Sequence, residues 1–173
     1  MRYKILSLIA AVALVAACET AGEGGGAAAG GGAVAAKPVE TFTTPLGGAI
    51  RPGTQEDLVV NVGDRVFFDF DKFNLKPEAR KTLEKQAAWL KANPAVRITI
   101  EGHCDERGTR EYNLALGERR ANSAKDYLIS LGINPGRIKT ISYGKERPVA
   151  LGSNEAAWAQ NRRAVSVVTA PGA

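Results

Sequence analysis

VRITIEGHCDERGTREYNLALGERRANSAKDYLISL, residues 96–131, changes its hydrophobic period midway, and that change decides the fold class. Val96, Ile98 and Ile100 alternate with Arg97, Thr99 and Glu101, the period-2 pattern of a half-buried strand. Gly102 to Gly108 is polar and reads as a loop. From about Arg110 the apolar residues recur at helical spacing to Leu131, where Gly132 stops the helix. Working outward, Arg65-Val-Phe-Phe-Asp-Phe-Asp71 predicts a strand with Val66, Phe68 and Phe70 on one face. Pro77 suits the first position of a helix, Leu83, Ala87 and Leu90 continue it, and Asn93-Pro94 ends it. Downstream, Ile138 to Tyr143 predicts a third strand. Ser153 is expected to cap a short helix through about Asn161, and Ala164 to Thr169 a last strand. The order β-α-β-α-β-α-β over residues 58–170 predicts one compact α/β domain, its helices covering one face of a small sheet.

The long helix holds the most informative side chain. On an ideal wheel of about 100° per residue, with Tyr112 at zero, seven residues define a buried arc. They are Leu116, Gly117, Ala121, Ala124, Tyr127, Leu128 and Leu131. Two polar residues fall inside it, Asn113 and Arg120, whereas Arg119 falls outside. An arginine is almost never fully buried unless paired, so Arg120 requires an anion. Either Asp71 or Asp105 supplies it within the chain, or a ligand does. Both carboxylates sit at the carboxyl ends of strands, where α/β folds place ligands. An Arg beside an Asp suits a zwitterion, guanidinium to carboxylate and carboxylate to ammonium.

The amino-terminal region differs in texture. Arg2 and Lys4 precede thirteen small or apolar residues, Ile5 to Ala17, a pattern that predicts a secretory signal over 1–17. Val15-Ala16-Ala17-Cys18 resembles a bacterial lipobox, which implies acylation at Cys18. Two or three acyl chains would anchor stably, at about 0.8 kcal/mol per buried CH₂. Glu19 does not resemble the Asp that retains enteric lipoproteins at the inner membrane. Glu19 to Asp57 lacks any sustained hydrophobic period and predicts a flexible tether. Of the sixteen residues Ala21 to Ala36, seven are Gly and seven are Ala. Such a coil has an r.m.s. span of roughly 35 Å. Losing Arg2 and Lys4 with the signal lowers the formal charge from +5 to +3, too modest an excess for a nucleic-acid partner. Two cysteines exclude a disulfide scaffold, and one histidine excludes a two-His metal motif; no cofactor or metal is expected. Cys104 reads as a small buried residue without a disulfide partner. His103, its neighbour, points to the opposite face in an extended segment, which disfavours a Cys/His nucleophile pair.

Four stretches carry a family resemblance: Glu101-Gly-His-Cys-Asp-Glu-Arg-Gly-Thr109, Glu111-Tyr-Asn-Leu-Ala-Leu-Gly-Glu-Arg-Arg-Ala121, Ser142-Tyr-Gly-Lys-Glu-Arg-Pro148 and Asn161-Arg-Arg-Ala-Val165. Together they resemble the OmpA-like peptidoglycan-binding domain, in its peptidoglycan-associated lipoprotein branch, over roughly Val66 to Val168. The resemblance implies an OmpA-C-like sandwich with helices packed on a small mixed sheet. It implies a non-enzymatic anchor binding the meso-diaminopimelate of the peptide stem, with Asp105 on the ammonium and Arg120 on the carboxylate. Phe70, Asp71, Thr109, Asn113 and Leu116 match further lining positions. Asn161, Arg162 and Arg163 match a motif with a structural role at least as expected as a binding one. The resemblance further implies an outer-membrane lipoprotein of the Tol-Pal system with TolB as partner, serving envelope integrity and constriction at division. Two other readings are an OmpA-like wall lipoprotein without Tol partners and a wall-modifying amidase; the lone histidine disfavours the second.

Overall fold

The computed structural model describes residues 50–170. The stretch read as signal peptide, the lipobox with Cys18 and most of the tether lie outside the described residues. The chain turns helical at Gln55, three residues before the expected start of the domain. A short helix α1, Gln55–Asp57, runs into a π-helical segment, Leu58–Val62. Thr54 caps α1 by accepting from the Asp57 amide at 3.2 Å. Asp57 itself accepts from the Trp89 indole at 2.7 Å, from Asn61 at 2.8 Å and from the Gly53 amide at 2.9 Å. These bonds hold its carboxyl below the usual range despite burial. Polar partners hold α1 in place of an apolar period, so the hydrophobic pattern carries no sign of Gln55–Asp57.

The other elements follow as β1 Arg65–Phe67, α2 Pro77–Ala92, β2 Arg97–His103, α3 Arg110–Ser130, β3 Ile138–Gly144, α4 Glu155–Asn161 and β4 Arg163–Ala170. A 3-10 turn, Pro135–Arg137, leads into β3. The sheet order is β1-β4-β2-β3. β2 and β3 are parallel and joined through α3, whereas β4 runs antiparallel to both its neighbours. Ile98 and Ile100 of β2 pack in one core with Leu83, Ala87 and Leu90 of α2 and with Ala121, Ala124 and Leu128 of α3. The mixed α/β architecture is the expected one.

Three details differ from the sequence reading: β2 runs on through Gly102 and His103, which that reading puts in the polar loop, and two more concern β1 and α4. β1 ends at Phe67, where its ladder with β4 runs out at the Phe67–Arg163 pair, and does not reach Asp71. Val66 and Phe68 are buried, but Phe70 is 55% exposed, because the chain leaves the sheet and turns; Asp71 has a φ of 55°. The cap of α4 is Asn154, not Ser153: its side chain accepts from the Ala157 amide at 3.0 Å.

The wheel of α3 holds well. Asn113, Leu116, Gly117, Arg120, Ala121, Ala124 and Leu128 are its buried residues, and Tyr127 and Leu131 are partly buried at its end. Gly117 lets α3 lie directly on β2: a Cβ added at Gly102 would collide with the Gly117 carbonyl. This close approach sets the end of β2 against the middle of α3, where the polar residues of the helix point inward.

Candidate functional site

Arg120 is 1% exposed, yet no carboxylate lies within ion-pairing distance of it among the described residues. The expected choice between Asp71, Asp105 and a ligand misses the partner that the fold supplies. Nε donates to the carbonyl of Lys72 at 2.9 Å, Nη1 to that of His103 at 2.8 Å and Nη2 to that of Asp69 at 3.1 Å. Two of these carbonyls belong to the turn after β1 and the third ends β2. The guanidinium thus pins that turn to the sheet. Its planar fork carries five N–H groups, and three are engaged. Burial lowers its pKa, but a guanidinium stays protonated. Phe68 stacks beneath it, 5.3 Å from ring centroid to guanidinium carbon.

Asp105 follows β2 and is 4% exposed. Its Oδ2 accepts from Arg107 at 2.6 Å and from Arg162 at 3.3 Å; its Oδ1 accepts from the amide and from Nε of Arg107, both at 3.2 Å. Burial pushes its pKa up, and the bonds from Arg107 and Arg162 more than reverse this, so the carboxyl sits below its usual range. Arg162 is in turn held by the Phe68 carbonyl at 3.1 Å and by Glu155 at 2.5 Å. The role of Arg162 is therefore to orient Asp105 from behind. Arg107 lies between two aromatic faces, 4.0 Å from the centroid of Phe70 and 4.0 Å from that of Trp158. The Trp158 indole is itself fixed by donating to Glu106 at 3.0 Å.

These groups surround a cavity of about 170 Å³. Of the seven binding residues named from the sequence, Phe70, Asp71, Asp105, Asn113, Leu116 and Arg120 line it. Thr109 does not; it caps α3 by accepting from the Tyr112 amide at 3.2 Å. Asn113 donates to the carbonyls of Arg107 at 2.7 Å and Thr109 at 3.0 Å, which shapes the Gly108 turn at the rim. Arg107, Tyr112, Gly108 and Cys104 line the cavity as well, and sequence reasoning did not mark them as lining. The Tyr112 hydroxyl donates to Asp71. Tyr112 lies in the first turn of α3, one position from Asn113, the only available sign of its place; Arg107 stands two residues after Asp105, a spacing that permits the observed local pair. Cys104 is 3% exposed, its thiol donates to the Asn113 carbonyl at 3.3 Å, and burial pushes its pKa up to about 11, so it is a packing residue. His103 faces elsewhere, with its ring 5.6 Å from that of Tyr143.

A cavity of this kind presents cations and anions side by side. Arg120 keeps two N–H groups outside its three carbonyl bonds, Asp71 accepts from Tyr112 through one oxygen, and Phe70, Leu116 and Cys104 supply apolar wall. Such an arrangement takes a short chain ending in a carboxylate and an ammonium.

Comparison with known proteins gives four findings. The OmpA family model matches residues 67–162. A peptidoglycan-associated lipoprotein of Rhizobium meliloti (strain 1021) is 57% identical over 125 residues, which cover 72% of this chain and 71% of that protein. The crystal structure of the peptidoglycan-associated lipoprotein from Burkholderia pseudomallei is similar with a TM-score of 0.60 and 46% identity, covering 61% of this chain and 90% of that one. The C-terminal domain of Helicobacter pylori MotB superposes with a TM-score of 0.57 at 22% identity over 61% of this chain and 84% of that one, a likeness of fold alone.

Proposed function

The chain belongs to the OmpA family, and from that premise we propose that it binds peptidoglycan without modifying it, anchoring the outer membrane to the cell wall from the periplasmic side. The names of its relatives support association with the wall. Cys18, acylated after removal of residues 1–17, holds the chain in the inner leaflet, and the residues ahead of Gly53 act as a tether to the domain, which includes α1. The ligand is the meso-diaminopimelate end of the peptide stem. Arg120 receives its carboxylate and Asp105 its ammonium, with Phe70, Asp71, Asn113 and Leu116 lining the cavity and Thr109 at its rim. Membership of the Tol-Pal system, with TolB as protein partner and a role in constriction at division, completes the reading; retention of TolB by the immobilised chain tests that part.

One observation supports the clamp above all others. A buried guanidinium with no carboxylate partner among the described residues lines a cavity, and two carboxylates line the same cavity. The test is co-sedimentation of the full chain, in detergent, with purified sacculi, comparing Asp105→Asn and Arg120→Lys, each confirmed folded by circular dichroism. Loss of a hydrogen bond to a charged group costs about 1.5–3 kcal/mol, roughly ten- to a hundredfold in affinity. Wild-type sedimentation by both folded variants would sink the clamp. Release of soluble fragments from the sacculi would sink the non-enzymatic reading.

A further inference from the structure

We propose that Arg107 is a specificity-determining residue of this cavity, acting as a built-in competitor for the ammonium of the ligand. The inference rests on the zwitterion reading given above and deepens it. An ionised carboxylate offers about four acceptor positions. At Asp105 all four are taken, three by Arg107 and one by Arg162. The carboxylate that the clamp assigns to an ammonium is thus saturated in the resting protein.

The two arginines are not equivalent. Arg162 is 6% exposed and tied to the Phe68 carbonyl and Glu155, so it stays. The Arg107 side chain is 31% exposed, lines the cavity and, among the described residues, hydrogen-bonds Asp105 alone. Beyond that pair it is stacked between the rings of Phe70 and Trp158. Phe70 is itself 55% exposed. An arriving ammonium therefore displaces Arg107 from Asp105 outward, past Phe70, while Arg162 keeps the carboxylate ionised. A ligand end with a carboxylate but no ammonium leaves Arg107 where it is and gains nothing at Asp105. The resting pair makes the site selective: Asp105 is open only to a ligand able to replace a guanidinium.

The experiment is titration calorimetry of the full chain in detergent with L-alanyl-γ-D-glutamyl-meso-diaminopimelate. Arg107→Gln keeps the stem as far as Cδ with a polar end and removes the charge. It should bind the tripeptide roughly tenfold more tightly than wild type, the lower end of what a charged hydrogen bond is worth for a partly exposed group. Arg107→Met, which keeps an apolar chain between the two rings, should show the same gain and guards against a folding defect of the first variant. The gain should vanish for the tripeptide acetylated on its diaminopimelate amine, and in Arg107→Gln combined with Asp105→Asn. Unchanged affinity in both single variants would overturn the proposal and transfer the ammonium to Asp71. Weaker binding would overturn it too, by showing that Arg107 donates to the ligand. Failure of the clamp itself looks different: wild type would not bind the tripeptide at all, or Asp105→Asn would bind it as well as wild type.

Discussion

Replacing Arg120 should unfold the domain more readily than its place at a ligand cavity suggests. Arg120→Met keeps most of the aliphatic stem and removes the fork. Three carbonyl oxygens, of Lys72, His103 and Asp69, then lose donors that stand at 2.8–3.1 Å. The His103 bond is buried and the other two are partly buried. An orphaned buried acceptor costs about 1–3 kcal/mol, and one that water can reach costs less. Counting the buried bond at about 2 kcal/mol, the other two at about 0.7 kcal/mol each, and the lost contact with Phe68 at about 0.5 kcal/mol, the penalty is about 4 kcal/mol. Against a typical stability of about 5–15 kcal/mol this is large. Arg120→Lys keeps the charge but reaches at most one or two of the three oxygens, so about 2 kcal/mol is expected. Urea unfolding followed by tryptophan fluorescence reads both values, and Trp89 and Trp158 report on separate regions. A loss below about 1 kcal/mol for Arg120→Met would refute the carbonyl cradle as a structural device. It would mean that Arg120 is held there for its ligand alone.

Three other outcomes are expected. Cys18→Ala should release the chain from membranes into the soluble fraction on cell fractionation while sacculus binding persists; loss of both together would contradict the division between anchor and clamp. Stability should fall as pH drops from 6.5 toward 4. Burial first, then the charges of Arg163 and Arg147, lower the His103 pKa from 6.5 to about 4, so the unfolded chain takes up a proton in that window that the folded chain refuses. The loss is at most about 3 kcal/mol, and His103→Phe should flatten it; an equal pH slope in urea titrations of the variant would show that another group is responsible. Gly117→Ala should cost about 1–3 kcal/mol, because the new Cβ would press on the Ser142 hydroxyl and the Gly102 carbonyl. An unchanged melting temperature would mean that α3 can lift from β2 freely.

What could be read in advance depended on whether side chains alone carried the signal. The wheel of α3 needs only the spacing of Leu116, Ala121, Ala124 and Leu128, and it put Arg120 and Asn113 inside before any coordinates. The same reading sought a carboxylate for Arg120, since only side chains differ between sequences. Its actual partners are main-chain oxygens, which every residue has and which leave no mark in a sequence. Phe70 was placed on the buried face because alternation was continued past the last rung of the ladder. The strand stops where β4 stops pairing, a fact about residue 163. The stacking of Arg107 between residues 70 and 158 joins three distant segments, and no local pattern encodes it.

The bonds around α1 have a mechanical meaning. A force reaching the described domain through residue 50 does not first strain β1, a three-residue edge strand that would unzip rung by rung. It meets Gly53 and Asp57 fastened to Trp89 on α2, and Gln55, whose carboxamide accepts from the Val168 amide at 2.6 Å and donates to the Ser166 carbonyl at 3.4 Å. Those attachments reach a long helix and an inner strand at once. A pull is thereby shared between two elements and must break several bonds together, the arrangement in which weak bonds resist tension best. Asp57, in a stretch whose sequence shows only polar residues and turns, is the knot at the end of that rope.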